Sequence, residues 1–146
     1  MLLLVFCLGD QRYALHVETV ERVLRAVEIT PIADAPRNVL GLINVYGRII
    51  PVFDLRKQLG LPGKETELSD HLIVARAGER PVALRVDKVS GITECPADQE
   101  TEAQAILPGL DQMEGIARLK DGMVIIEDLD RLCSQTAAQL ANAATG

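Results

Sequence analysis

The stretch that most constrains this chain is Gly41-Leu-Ile-Asn-Val-Tyr-Gly-Arg-Ile-Ile-Pro-Val-Phe-Asp-Leu-Arg56. Its pattern predicts two apolar strands, Leu42 to Tyr46 and Arg48 to Phe53, pivoting on Gly47, which takes φ > 0 without a Cβ clash. Pro51 cannot donate to a sheet ladder and marks an edge or a bulge. Asp54 is placed to accept from the free N–H groups of a following short helix, which Gly60 and Pro62 stop within two turns. The block holds no nucleophile, metal-ligand set or phosphate cradle. It is architecture that presents a surface.

The flanking sequence repeats the theme. Leu2 to Leu8 and Tyr13 to His16 predict a hairpin across a four-residue loop, Gly9 to Arg12. Val17, Val20 and Leu24 predict one helical turn, followed by a strand over Val23 to Ile29, and Thr30-Pro31 ends that strand. Pro36 to Leu40 reads as a short helix closed by Gly41. Leu61 to Asp70 is a polar loop and the expected seat of mobility in the first half. Three strands follow: His71 to Ala77, Arg80 to Val86 and Val89 to Glu94. In the second of these, Val82, Leu84 and Val86 alternate with Ala83, Arg85 and Asp87, as in a half-buried strand. Pro96 to Gln112 is long and acidic, with Ile106, Leu107 and Leu110 expected to pin it to the body. Met113 to Leu119 and Met123 to Ile126 predict a last hairpin. Asp128 caps a closing helix through Leu129, Leu132, Cys133, Thr136 and Leu140, and residues 134–146 form a frayed helical tail. About nine short strands with brief helices mean an all-β protein of barrel or sandwich type, in one domain spanning residues 1–146.

Charge and composition exclude several functions. With a net charge of -6 and aromatic residues at only 3%, the chain lacks the basic face and stacking aromatics that nucleic-acid binding needs. Residues 89–146 hold 3 basic and 10 acidic side chains, net -7, against net +1 for residues 1–88 with 12 and 11. The acidic run from Glu94 to Glu114 reads as a solvated loop, or as a face steering a basic partner. Cys7, Cys95 and Cys133 fit neither a disulfide framework nor a zinc site, and suit a reducing cytoplasm. Cys7 and Cys133 are expected buried, Cys95 more exposed. The apolar opening, Met1 to Leu8, is too short to span a membrane and lacks a signal peptide's flanks, so it predicts a buried first strand. The two histidines, His16 and His71, read as structural or solvent-facing. No serine-hydrolase, P-loop, dinucleotide or zincin motif is present, and no cofactor or catalytic residue is expected.

In order along nearly the whole chain, Val5-Phe6-Cys7-Leu8-Gly9, Tyr13-Ala14-Leu15, Val17, Ile29-Thr30-Pro31, Pro36, Gly41-Leu-Ile-Asn44, Gly47-Arg-Ile-Ile-Pro-Val52, Asp54-Leu-Arg56 and Val86-Asp87-Lys88-Val89 resemble the CheW family of bacterial chemosensory adaptors. The resemblance implies two intertwined SH3-like five-stranded β-barrel subdomains with short helices, not contiguous in sequence. It implies a non-catalytic cytoplasmic adaptor, recruited to membrane receptor arrays without inserting into the bilayer and binding no nucleic acid. The adaptor would couple the cytoplasmic hairpin tip of a chemoreceptor to the regulatory domain of the histidine kinase CheA. It would be a monomer alone, able to join ring-like assemblies with the kinase. Carried over by position, the receptor groove draws on Val17, Val20, Arg22, Gly41, Asn44, Tyr46, Gly47, Val86, Val89 and Ile92. The kinase-facing edge draws on Asp70, His71 and Ile73. For each Val and Ile, plain core packing is the competing role, and Gly41 and Gly47 fit a backbone role better than direct contact.

Two positions depart from the family pattern. The turn reads Asn44-Val45-Tyr46-Gly47 where relatives have Asn-x-Arg-Gly, and Arg22 stands where they carry an acid. A contact of Arg22 with the Tyr46 ring is the available replacement for the lost charge pair, with a divergent or non-flagellar pathway as the expected consequence; the alternative is that both are drifted surface positions. Two other readings stay open: a small barrel module that binds proteins outside any receptor–kinase array, and an unrecognised enzyme.

Overall fold

The computed structural model describes residues 1–25, 28–109 and 113–133. Eleven strands among them form two sheets. Leu2–Leu8 (β1), Gln11–His16 (β2), Lys88–Glu94 (β8), Glu100–Glu102 (β9), Gly115–Leu119 (β10) and Gly122–Ile126 (β11) make the first, in the order β8-β1-β2-β11-β10-β9. Val20–Arg25 (β3), Val39–Val45 (β4), Arg48–Asp54 (β5), His71–Ala77 (β6) and Arg80–Val86 (β7) make the second, in the order β3-β6-β7-β5-β4. The chain therefore begins in one sheet, builds the other, and returns. That is the intertwined all-β arrangement the sequence implied. Seven of the nine pairings among these strands are antiparallel, four of them hairpins; β5 with β7 and β2 with β11 are parallel.

Three apolar clusters hold this together. The largest lies between the sheets. Leu4, Phe6 and Leu8 reach it from β1, Ile73 and Ala75 from β6, and Val82, Leu84 and Val86 from β7. The alternate residues of the same strands fill each sheet's own core: Leu3 and Val5 on one side, Leu72, Val74 and Ala83 on the other. A strand buried on both faces must be apolar throughout, which explains the unbroken Leu2 to Leu8 run. Each fully buried Leu, Ile or Phe contributes roughly 1.5–3 kcal/mol. The single stacked aromatic pair among the described residues, Phe6 with Tyr13 at 5.9 Å, joins β1 to β2 in the shared core.

Several local expectations are corrected. The first hairpin turns on Gly9-Asp10 alone: Leu8 already pairs with Gln11, and Gly9 at φ +60 makes the two-residue turn possible. β3, Val20–Arg25, pairs with β6 from Ala75 to His71; Glu28 and Ile29 are not in a strand, and residues 26–27 lie outside the described residues. Pro36 to Leu40 is no helix. The Val39 N–H donates to the Pro36 carbonyl in a turn, and Val39 and Leu40 already belong to β4. β7 is buried on both faces rather than one, since it is flanked by β6 and β5 and covered on both sides. Ile106 and Leu107 are exposed, so Ala103 and the pairing of β9 with β10 hold the acidic segment in place. Cys95, expected exposed, is fully buried in the first sheet's core, where its N–H donates to the Met1 carbonyl; Cys7 and Cys133 are the partly exposed thiols. Arg131 N–H donates to Asp128 Oδ1, as the expected cap requires. Leu110, Thr136, Leu140 and the tail over residues 134–146 lie outside the described residues.

Pro51 occupies an interior strand without cost. It sits opposite Leu42, whose N–H and carbonyl are bonded to Thr30, so this is a non-hydrogen-bonded pair. Pairing of β5 with β7 starts only at Val52. No neighbour needs the N–H that proline lacks.

Candidate protein-interaction surface

The hairpin tip of β4 and β5 is built by its own residues. Tyr46 (φ 50) and Gly47 (φ 84) both take the left-handed region, and Asn44 Oδ1 accepts from the Gly47 N–H at 2.8 Å. Two positive φ values suit a two-residue hairpin turn, although an L-tyrosine is strained there. Tyr46 is 88% exposed. Arg22, from the far edge strand β3, lies over its ring at 4.8 Å from the centroid. Beside it, Arg48 Nη2 donates to Glu21 at 2.9 Å, and Arg76 lies 3.6 Å from the same carboxylate. The contact anticipated from the sequence is therefore formed, and it links the two edge strands of the second sheet. A cation–π pair so exposed contributes about 0.5–1 kcal/mol. Val23 on β3 and Ile49 on β5 add exposed apolar area.

The remaining positions separate into three groups. Val17, in a 3-10 turn after β2, together with Val20 and Val89, is half-buried against the inter-sheet core. Ile92 on β8 is 61% exposed. Val86 and Ile73 are fully buried in the shared core, so their side chains support a surface from beneath rather than forming one. Gly41 is also an internal support: a Cβ there would lie 2.2 Å from the Thr30 carbonyl oxygen, a contact no other residue type tolerates. Asp70 is likewise withdrawn from solvent, and His71 is half-buried with Nδ1 unpartnered among the described residues.

What the sequence did not reveal is an ion network linking the two signature motifs. Asp87, between β7 and β8, accepts from Arg56 Nη2 at 2.5 Å, from the Gly9 N–H at 2.7 Å and from Lys64 Nζ at 3.4 Å. Lys64 also donates to Asp70 at 2.8 Å, and Arg56 to the Pro62 carbonyl at 3.1 Å. Asp54 caps the short helix Leu55–Gln58 by accepting from Arg56 N–H; it pairs as well with buried Arg85, which reaches Thr66 at 2.7 Å. The loop expected to be mobile is thus tied down at Pro62, Lys64, Thr66 and Glu67. Burial pushes the Asp87 carboxyl up, but the Arg56 and Gly9 hydrogen bonds and the nearby cations outweigh it and leave it below the usual carboxylate range. Arg56 is raised, chiefly by its bond to Asp87. Lys64 is raised as well, its partners Asp70 and Asp87 overcoming the burial that opposes the charge. The only sequence signal was that both motifs hold charged residues inside apolar strands.

The CheW-like domain family model matches residues 2–137. The chain belongs to the CheW family. It is 29% identical over 133 residues to chemotaxis protein CheW of Klebsiella aerogenes, covering 90% of this chain and 80% of that one. It is 30% identical over 132 residues to CheW of Thermotoga maritima, covering 90% and 87%. The crystal structure of the scaffolding protein CheW from Thermoanaerobacter tengcongensis superimposes with a TM-score of 0.82 at 30% identity, over 90% of each chain. Among CheW-like domains, then, this one carries the arginine–tyrosine contact at its hairpin tip.

Proposed function

We propose that this chain is a non-catalytic chemotaxis adaptor that couples chemoreceptors to the histidine kinase CheA. The observation that carries the reading is the family match over residues 2–137, joined to a hairpin tip whose exposed side chains are carried on paired strands. The receptor-facing side is the hairpin tip with Arg22, Asn44, Tyr46 and Gly47, continued by Val17, Val20, Val89 and Ile92. A receptor hairpin would lay an amphipathic helix against these aliphatic and aromatic side chains. The kinase-facing side is the start of β6 at His71, held by the Asp70–Lys64 pair. The protein works in the cytoplasm beside membrane-embedded receptors; no helix among the described residues is long and apolar enough to cross a membrane.

Arg22 and Tyr46 give the tip a cation and an aromatic ring, so partner choice is altered toward a receptor in a divergent pathway. Co-sedimentation with the organism's own receptor fragment and CheA tests the adaptor role. Formation of the ternary complex supports it, and failure to bind either partner refutes it. Equal activation of a kinase by this chain and by the Arg22→Glu, Tyr46→Arg double variant, with a standard receptor, would sink the altered partner choice.

A further inference from the structure

We propose that His16, Glu100 and Glu114 form a binding site for a divalent transition-metal ion, with zinc(II) as the best fit. Their ligand atoms, a histidine ring nitrogen and two carboxylate oxygens, all lie within 4.8 Å of one another. His16 Nε2 and Glu114 Oε1 are 2.9 Å apart, with the histidine side chain only 16% exposed. Tetrahedral ligands about 2.0–2.2 Å from zinc sit about 3.3 Å from each other, so small side-chain rotations convert the hydrogen-bonded cluster into a three-ligand site with water as the fourth ligand. One imidazole with two carboxylates suits zinc or manganese better than a thiolate-preferring ion.

Two independent features point the same way. Glu127 lines the surface cavity of about 540 Å³ that His16 and Glu114 also line. Its side chain is 4% exposed and its Oε2 has no hydrogen-bond partner among the described residues. A buried, unpartnered carboxylate beside such a cluster is costly without a cation to serve it, and Arg76, which also lines this cavity, pairs with Glu21 instead. The second feature is backbone. A Cβ at Gly115 would lie 2.5 Å from the Thr101 carbonyl oxygen, so glycine alone lets β9 press against β10. That approach carries Glu100 to within reach of Glu114. The ligands come from three separate strands or their ends, which fixes their spacing better than a loop would.

The test is calorimetric titration of the full chain with zinc(II), with cobalt(II) absorption as a second readout. One saturable ion per chain is expected, weakened at least about tenfold by each of His16→Gln, Glu100→Gln and Glu114→Gln. The cobalt spectrum is expected to lack thiolate charge-transfer bands, which separates this site from Cys7 and Cys133. No saturable uptake, uptake unchanged in all three variants, or a thiolate-dominated cobalt spectrum would each overturn the proposal.

Discussion

Asp87 and Glu127 are both acids at strand ends and both are largely withdrawn from water, yet the fold treats them in contrary ways. Asp87 receives a backbone N–H and two cationic side chains, and its carboxyl sits below the usual range although burial pushes it up. Glu127 receives nothing at Oε2 among the described residues, and burial, aided by the Asp128 charge, raises its carboxyl from 4.5 to about 7. The difference lies in what surrounds each. The chain's cations cluster in its first 88 residues, where Arg56 and Lys64 reach Asp87; Glu127 lies in the acidic part. One acid is a permanent strut between the sheets, the other a group whose charge depends on pH.

The strongest way to break this comparison is at the strut. Asp87→Ala leaves Arg56 and Lys64 facing each other and the Gly9 N–H without its acceptor. A loss of about 3 kcal/mol in urea unfolding is expected, since removing one partner strands the others. A loss near zero would mean water already serves these cations. The acid limb gives the same information without mutation. A depressed carboxyl contributes stability that is present above the unfolded value of 3.8 and lost as pH falls through its lower folded value. The parent is therefore expected to lose stability below pH 4, and Asp87→Ala to lose less over that range.

Glu127 is expected to move the opposite way. Because its folded value is raised, the folded chain holds the proton more tightly; the contribution is complete below 4.5 and lost as pH rises through about 7. Without added metal, Glu127→Gln is expected to match the parent near pH 4.5 and exceed it at pH 8 by about 2–3 kcal/mol. Thermal melts across pH 4.5–8 check this, and a difference that stays constant with pH would remove the contrast. The smallest effect belongs to the exposed tip. Tyr46→Gly relieves a strained positive φ while losing the Arg22 stack, so stability is expected to change by less than about 1 kcal/mol. Receptor binding should fall far more than stability does. Equal loss of both would place Tyr46 among the struts.

Much of this fold was legible because four of the nine strand pairings among the described residues are hairpins between chain neighbours. β6, β7 and the β4–β5 hairpin were readable from short apolar runs and, in the hairpin, from the turn residue Gly47. The errors arose where a distant partner decides. Arg85 reads as solvent-facing on charge alone, but β5 and β6 enclose β7, and Asp54 of β5 and Thr66 of the loop before β6 become its partners. Cys95 reads as a loop residue because its neighbour is proline, yet the bond to Met1 draws it into the first sheet's core. Ile106 and Leu107 read as anchors, but a three-residue pairing with β10 secures the segment instead. The Arg22–Tyr46 contact was anticipated only because the resemblance pointed to both positions.

The sequence by itself determined most of the strands, though not β9, together with the tip turn, the helix cap at Asp54 and the family, since each depends on residues close together in the chain or on an ordered pattern. Tertiary structure decided which side chains are surface and which are support. It buried Val86 and Ile73, exposed Tyr46 and Ile92, and placed Asp87 against a pair of cations. Burial and the fate of a charge depend on what packs above and beside a strand, and those neighbours lie tens of residues away.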